Sequence, residues 1–178
     1  MKNLLLLLAA VAILAPAALA ETGNSAQTPS AVCKAELKAM GAADFRSLYA
    51  PGGNGASAHG KCVSKHQRSN AANRTNAAKA CEAEEAMPEA DFRAAHDGKS
   101  FAETYGRNDN DRNAFGKCVS SKAGASSAQQ EKAVLNASKA CKAERGSTTE
   151  SRAAFTTKYG GKASSAFGKC VSSKSKAK

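Results

Sequence analysis

Six cysteines and three histidines are the side chains of this 178-residue chain with the widest chemical range. A thiol can be a nucleophile, half of a redox pair, a metal ligand or half of a disulfide. A redox pair needs two cysteines close enough in sequence for one thiolate to resolve the other, and no Cys-x-x-Cys occurs. Hydrolytic nucleophiles need a histidine, yet the chain beyond His66 contains only His96, and no nucleophile elbow or paired carboxylate set stands near it. One metal-ligand pattern exists: His59, Cys62 and His66 fall at i, i+3 and i+7, and with Cys33 they make a two-cysteine, two-histidine zinc set. The better reading is no metal: an oxidised Cys33–Cys62 pair with both histidines exposed, as in the rest of the chain, where paired cysteines stand without such histidines. The acidic run Asn108-Asp109-Asn110-Asp111 has the look of a calcium loop, but Ala114 occupies the position that needs glycine and no glutamate closes the loop. A helix-capping loop is the better reading of it. Asn73-Arg74-Thr75 and Asn136-Ala137-Ser138 match the glycosylation acceptor pattern. No cofactor or small-molecule substrate is expected, and the chain reads as a non-enzyme.

The oxidised reading fits the start of the chain. Lys2, the apolar run from Leu4 to Leu14 and the ending Ala18-Leu19-Ala20 form a secretory signal over residues 1–20, with cleavage before Glu21. Its apolar run is too short for a membrane span, and no second one follows. The expected location is secreted, extracellular or periplasmic, where disulfides persist. Removing residues 1–20 takes away Lys2 alone, leaving a charge of +10. The remaining chain holds only 14 Leu, Ile, Val and Phe residues, a proportion well under the roughly 20% below which chains tend to stay disordered. Cross-links must then supply part of what burial cannot.

The cysteines sit in an internal repeat. Residues 31–66, 78–122 and 137–178 each open on a cysteine in a helix-forming stretch: Cys33-Lys34-Ala35-Glu36, Cys81-Glu82-Ala83-Glu84 and Cys141-Lys142-Ala143-Glu144. Each carries a Phe and a Tyr four apart, at Phe45/Tyr49, Phe101/Tyr105 and Phe155/Tyr159, and each reaches Gly-Lys-Cys-Val-Ser at Gly60, Gly116 and Gly168. The second and third share the longer signature Ala-Phe-Gly-Lys-Cys-Val-Ser-Ser-Lys. Cysteine separations are 29, 37 and 29, and the extra length of the second copy lies around Met87 to Ala94. Six cysteines allow 15 pairings, and a repeat that is one structural unit selects Cys33–Cys62, Cys81–Cys118 and Cys141–Cys170. Each bond would stabilise by about 3–4 kcal/mol on the chain-entropy model.

The elements that must position these residues are all helical. Thr28-Pro29 is a cap followed by proline at the first helical position, so helix A of the first copy starts there. The Phe/Tyr turn forms a short helix B, stopped by Pro51-Gly52, Gly106 and Gly160. Phe115, Cys118 and Val119, like Phe167, Cys170 and Val171, form one apolar stripe on helix C, with Asn113 and Ser164 or Ser165 as expected caps. The glycine beside helix C's Phe is expected to let helices A and C approach to disulfide distance. The fold class expected is all-α: three tandem repeats, each an antiparallel helix pair with a short middle helix, arranged as an elongated string. Residues 21–30 form a flexible lead. Residues 67–77 form a connecting helix or linker, since residues 61–87 lack Gly and Pro; 123–136 form a second linker, kinked or broken near Gly124, Ser126 and Ser127.

These motifs resemble those of small secreted bacterial proteins that carry the same Cys-Lys-Ala-Glu, Tyr-Gly and Ala-Phe-Gly-Lys-Cys-Val-Ser elements, over most of the chain beyond residue 20. The resemblance implies export and the same cysteine pairing, and it implies no activity. The first copy departs from the pattern, with His59 in place of Phe and Ala50-Pro51 after Tyr49. Two functions are expected from the charge and architecture. One is an envelope protein binding anionic cell-wall or extracellular polymers through Lys117, Lys122, Lys169, Lys174, Lys176 and Lys178. The other is a secreted effector or inhibitor that binds one protein partner.

Overall fold

The computed structural model describes residues 27–53, 55–106 and 112–176. The expected export signal over residues 1–20, residues 21–26 of the expected lead, the acidic run 108–111 and Lys178 lie outside the described residues. Within them every regular element is helical: α1 (Pro29–Met40), α2 (Ala42–Tyr49), α3 (Ala58–Glu85), α4 (Glu89–Ala95), α5 (Phe101–Tyr105), α6 (Ala114–Arg145), α7 (Thr149–Lys158) and α8 (Ala163–Lys176).

Local chemistry sets most of the boundaries. Thr28 caps α1 by accepting from the Ala31 amide, with Pro29 at the first position, and Gly41 at φ 81° ends it. Ser100 and Glu103 form a reciprocal capping box on α5, and Thr148 caps α7. Asn113 precedes α6 without a side-chain cap bond. Ser164 and Ser165 lie inside the first turn of α8 rather than capping it. The additional residues of the second segment form their own helix, α4, whose Phe92 is buried against the Phe101 ring.

Of the two readings left open for the first long connection, helix or linker, the structure has the helix: α3 runs unbroken for 28 residues, about 42 Å. The second differs from expectation. α6 continues for 32 residues through Gly124, Ser126 and Ser127 with no break. The reason is tertiary, because α3 and α6 pack as an antiparallel pair. At their middle, Asn73 Nδ2 donates to Ser127 Oγ (3.0 Å) and Gln130 Oε1 (3.3 Å), and Gln130 Nε2 donates back to Asn73 Oδ1 (3.2 Å). Polar residues that would break an isolated helix are here paired across the interface, so their propensity cost is offset. The same pairing buries Asn73 within α3, which removes it as a glycosylation acceptor, whereas Asn136 is exposed.

The segments are not strung out one by one. Met40, Phe45, Tyr49 and Ala58 of the first and Phe155, Phe167 and Val171 of the third belong to one buried cluster at one end of the α3–α6 pair, while Phe92 of the second lies outside it. So few large apolar side chains cannot fill three cores, and pooling two segments doubles what each can bury. Asp44 of α2 receives both guanidinium nitrogens of Arg145, the last residue of α6, and Lys142 donates to the Ala39 carbonyl at 3.2 Å.

The glycines of helix C also depart from expectation. A Cβ at Gly60 or Gly116 would meet nothing within 4 Å, so neither is needed for the cysteine helices to approach. Gly168 instead faces α2 of the first segment, where a Cβ would come 2.9 Å from the Leu48 Cα and closer still to the Ser47 carbonyl. Its role is to let α8 dock on α2.

Candidate functional site

Each cysteine pair joins the helices expected: Cys33–Cys62 links α1 to α3, Cys81–Cys118 links α3 to α6, and Cys141–Cys170 links α6 to α8. All six cysteines are fully buried. Around each bond the chain builds the same cluster. Three residues after the first cysteine, on the same helix face, stands a glutamate: Glu36, Glu84 or Glu144. The tyrosine of the middle helix donates its hydroxyl to that carboxylate, in the pairs Tyr49–Glu36, Tyr105–Glu84 (2.9 Å) and Tyr159–Glu144 (3.0 Å). Four residues after the second cysteine a basic side chain reaches the same carboxylate. His66 Nε2 lies 3.1 Å from Glu36, Lys122 Nζ 2.8 Å from Glu84 and Lys174 Nζ 3.1 Å from Glu144. A carboxylate beside a disulfide is thereby satisfied from two sides.

The electrostatics differ from site to site. Glu36 has no solvent exposure. Burial, followed by the charge and hydrogen bond of Glu36, raises the Tyr49 phenol far above its ordinary range. Burial and then Glu84 also raise Tyr105. Burial opposes ionisation of Glu84, but hydrogen bonds from Lys122 and Tyr105 outweigh it and hold this carboxyl below its usual value. Glu144 is pushed down to about 2, first by Lys158 and then by Lys174. At Tyr105–Glu84 a raised phenol against a lowered carboxyl favours a fixed, protonated hydroxyl, which suits structural anchoring.

The zinc set weighed from the sequence as the alternative to an oxidised pair is brought together only in part. Cys33 Sγ, Cys62 Sγ and a ring nitrogen of His66 all lie within 4.8 Å of one another, while His59 is not among them. The Nε2 of His59 is buried without a hydrogen-bond partner. In its place stands Glu36, whose Oε2 is 3.6 Å from Cys62 Sγ.

The expected polyanion-binding lysines divide similarly. Lys122, half-buried, and Lys174, exposed, are held by Glu84 and Glu144 and so already have anionic partners within the fold. Lys117 is half-buried, and Lys169 and Lys176 are exposed. A better cationic surface lies elsewhere. Lys61, Lys65 and Arg68 recur at i, i+4 and i+7 along α3 and line one side of an open groove of about 620 Å³. Leu48 and Tyr49 line it as well, with Lys65 Nζ 5.4 Å from the Tyr49 ring centroid. Among the described residues no acidic side chain lines the groove and none of the three cations has a salt-bridge partner. The basic i, i+4, i+7 spacing was the available sequence signal, and the lysine-rich C-terminal end overshadowed it.

Among the described residues no helix is long and apolar enough to cross a membrane. Searched against protein-family models, curated proteins and solved structures, the chain matches none.

Proposed function

We propose that this is an exported, non-enzymatic binding protein whose first segment holds anionic polymers of the cell envelope, such as wall acids or acidic polysaccharides, in the groove along α3. The observation that carries this reading is the unpaired row Lys61, Lys65 and Arg68, set on a helix that disulfide Cys33–Cys62 ties to α1. Three fixed cations on one ridge, with no acid beside them, suit a repeating anion better than a single charge. Among the described residues all six cysteines are oxidised and the Tyr49 phenol is raised, which removes these groups as nucleophiles and is in keeping with a binding role. Export is supported by the three disulfides, which persist in an oxidising compartment.

The experiment is retention on immobilised polygalacturonate, a linear polyanion, from about 50 to 200 mM salt, a range over which charge-driven binding falls steeply. The triple variant K61Q/K65Q/R68Q should lose most of the retention, whereas K169Q/K176Q should lose little. Retention on envelope preparations that is indifferent to salt and to the triple variant would replace this reading with a specific protein partner. Absence of retention at low salt would remove the polyanion reading altogether.

A further inference from the structure

We propose that the first segment is a reduction-gated zinc site, in which opening of the Cys33–Cys62 bond leaves two thiolates, His66 and the Glu36 carboxylate to hold one zinc ion. The second and third segments, built on the same plan, hold none.

The ligand atoms are already gathered. α1 presents Cys33 and Glu36 at i, i+3, and α3 presents Cys62 and His66 at i, i+4, so two helices contribute two donors each wherever this part of the fold is formed. Both sulfurs and a His66 ring nitrogen lie within 4.8 Å of one another. Glu36 lies 3.1 Å from His66 Nε2 through Oε1 and 3.6 Å from Cys62 Sγ through Oε2. A tetrahedral zinc with bonds of about 2.0–2.3 Å spaces its donors about 3.3–3.8 Å apart, so the side chains need only small shifts. The cysteine Cα atoms, 6.0 Å apart, already place the two helices close enough. Thiolate, imidazole and carboxylate together are a donor set that zinc accepts.

What restricts the site to the first segment is one residue. The basic side chain facing the glutamate is His66 there, but Lys122 and Lys174 in the other two. A lysine ammonium has three donors and no lone pair, so it repels a metal ion, whereas a neutral imidazole ligates. The rest of the arrangement is shared, since Glu84 Oε2 lies 3.9 Å from Cys118 Sγ much as Glu36 lies from Cys62. His59 plays no part, because it stands where Phe115 and Phe167 do in the other segments.

The chemical step balances with a phosphine as reductant. It supplies two electrons and ends as the phosphine oxide with oxygen from water. The sulfur–sulfur bond breaks, two thiols form, and zinc displaces their two protons to solvent.

The test uses the full chain beyond residue 20, reduced anaerobically with a phosphine and equilibrated first with zinc(II) and then, separately, with cobalt(II). Bound metal is counted by mass spectrometry after removal of free ion, and the cobalt spectrum reports geometry and thiolate bonding. The wild-type chain should bind one equivalent, with an intense tetrahedral cobalt spectrum, and should regain helicity with metal. H66K, which copies the residue of the other two segments, should fall below a tenth of an equivalent, and E36Q should bind at least tenfold more weakly. K122H should raise the count to two. If H66K binds as much as the wild type, if all three segments load equally, if K122H stays at one, or if the cobalt spectrum is octahedral, the proposal is overturned.

Discussion

Gly168 of α8 lies against the backbone of Ser47 in α2, with its amide donating to Ser47 Oγ at 3.2 Å, although 121 residues separate the two in sequence. This contact joins the third segment to the first, and it divides the three glycines that open the Gly-Lys-Cys-Val-Ser motif into two functions. At Gly168 an added methyl would strike backbone, which cannot step aside. At Gly60 and Gly116 it would enter open space.

Gly168→Ala should therefore destabilise by about 1–3 kcal/mol through overpacking, after allowing for its gain in helix propensity. Gly60→Ala and Gly116→Ala should be neutral or stabilising by up to about 1 kcal/mol, since only the propensity term acts there. Urea midpoints of the three variants check this. Equal effects at all three positions would show that the α2–α8 docking is not formed in solution.

Tyr49→Phe should cost about 1–3 kcal/mol, because it strips a hydrogen bond from a carboxylate with no access to water. Tyr159→Phe should cost less, since Glu144 is partly exposed and keeps both Lys158 and Lys174. Thermal unfolding of the pair gives the comparison, and a reversed order would contradict the burial of Glu36.

The carboxylates set the acid limb of stability. Glu144 has a folded value of about 2 against the usual 4.5, and Glu84 is lowered as well. A depressed folded pKa stabilises above the unfolded value and is lost as pH falls through the folded one. Stability should hold above about pH 4.5 and decline between there and about 2, and K158A/K174A should flatten that decline. The tyrosines act at the other end. Tyr49 and Tyr105 are raised above 10.0, so their contribution is complete below that pH and is lost as pH rises beyond it. Ultraviolet titration should show Tyr49 ionising only as the chain unfolds.

The second disulfide stands apart from the shared core, so its loss should be felt locally. C81S/C118S should cost about 2–5 kcal/mol and raise hydrogen exchange in α4 and α5, while α1, α2, α7 and α8 keep their protection. Complete reduction without metal should remove most of the helicity by circular dichroism, because so small a core does not hold unaided. Peptide mapping without reductant checks the three bonds themselves.

Local chemistry determined much of this protein before any tertiary contact. The cap at Thr28-Pro29, the Phe/Tyr turns and the three cysteine bonds are legible because each depends on neighbours within one helix or one segment. The motif Cys-x-x-Glu and the tyrosine were also in view, but not their bond, since a hydrogen bond between residues 13 to 21 apart has no periodic signature. Four outcomes belonged to tertiary structure alone: the unbroken α6, the pooled core, the committed Lys122 and Lys174, and the role of Gly168. Helix propensity argued for a break near Ser127, and pairing with Asn73 in α3 overrode it. Which of two identical Ala-Phe-Gly-Lys-Cys-Val stretches is covered by α2 depends on how two distant segments pack. No local sequence distinguishes Phe115, half-buried, from Phe167, wholly buried, because burial is a property of the neighbours that arrive and not of the residue.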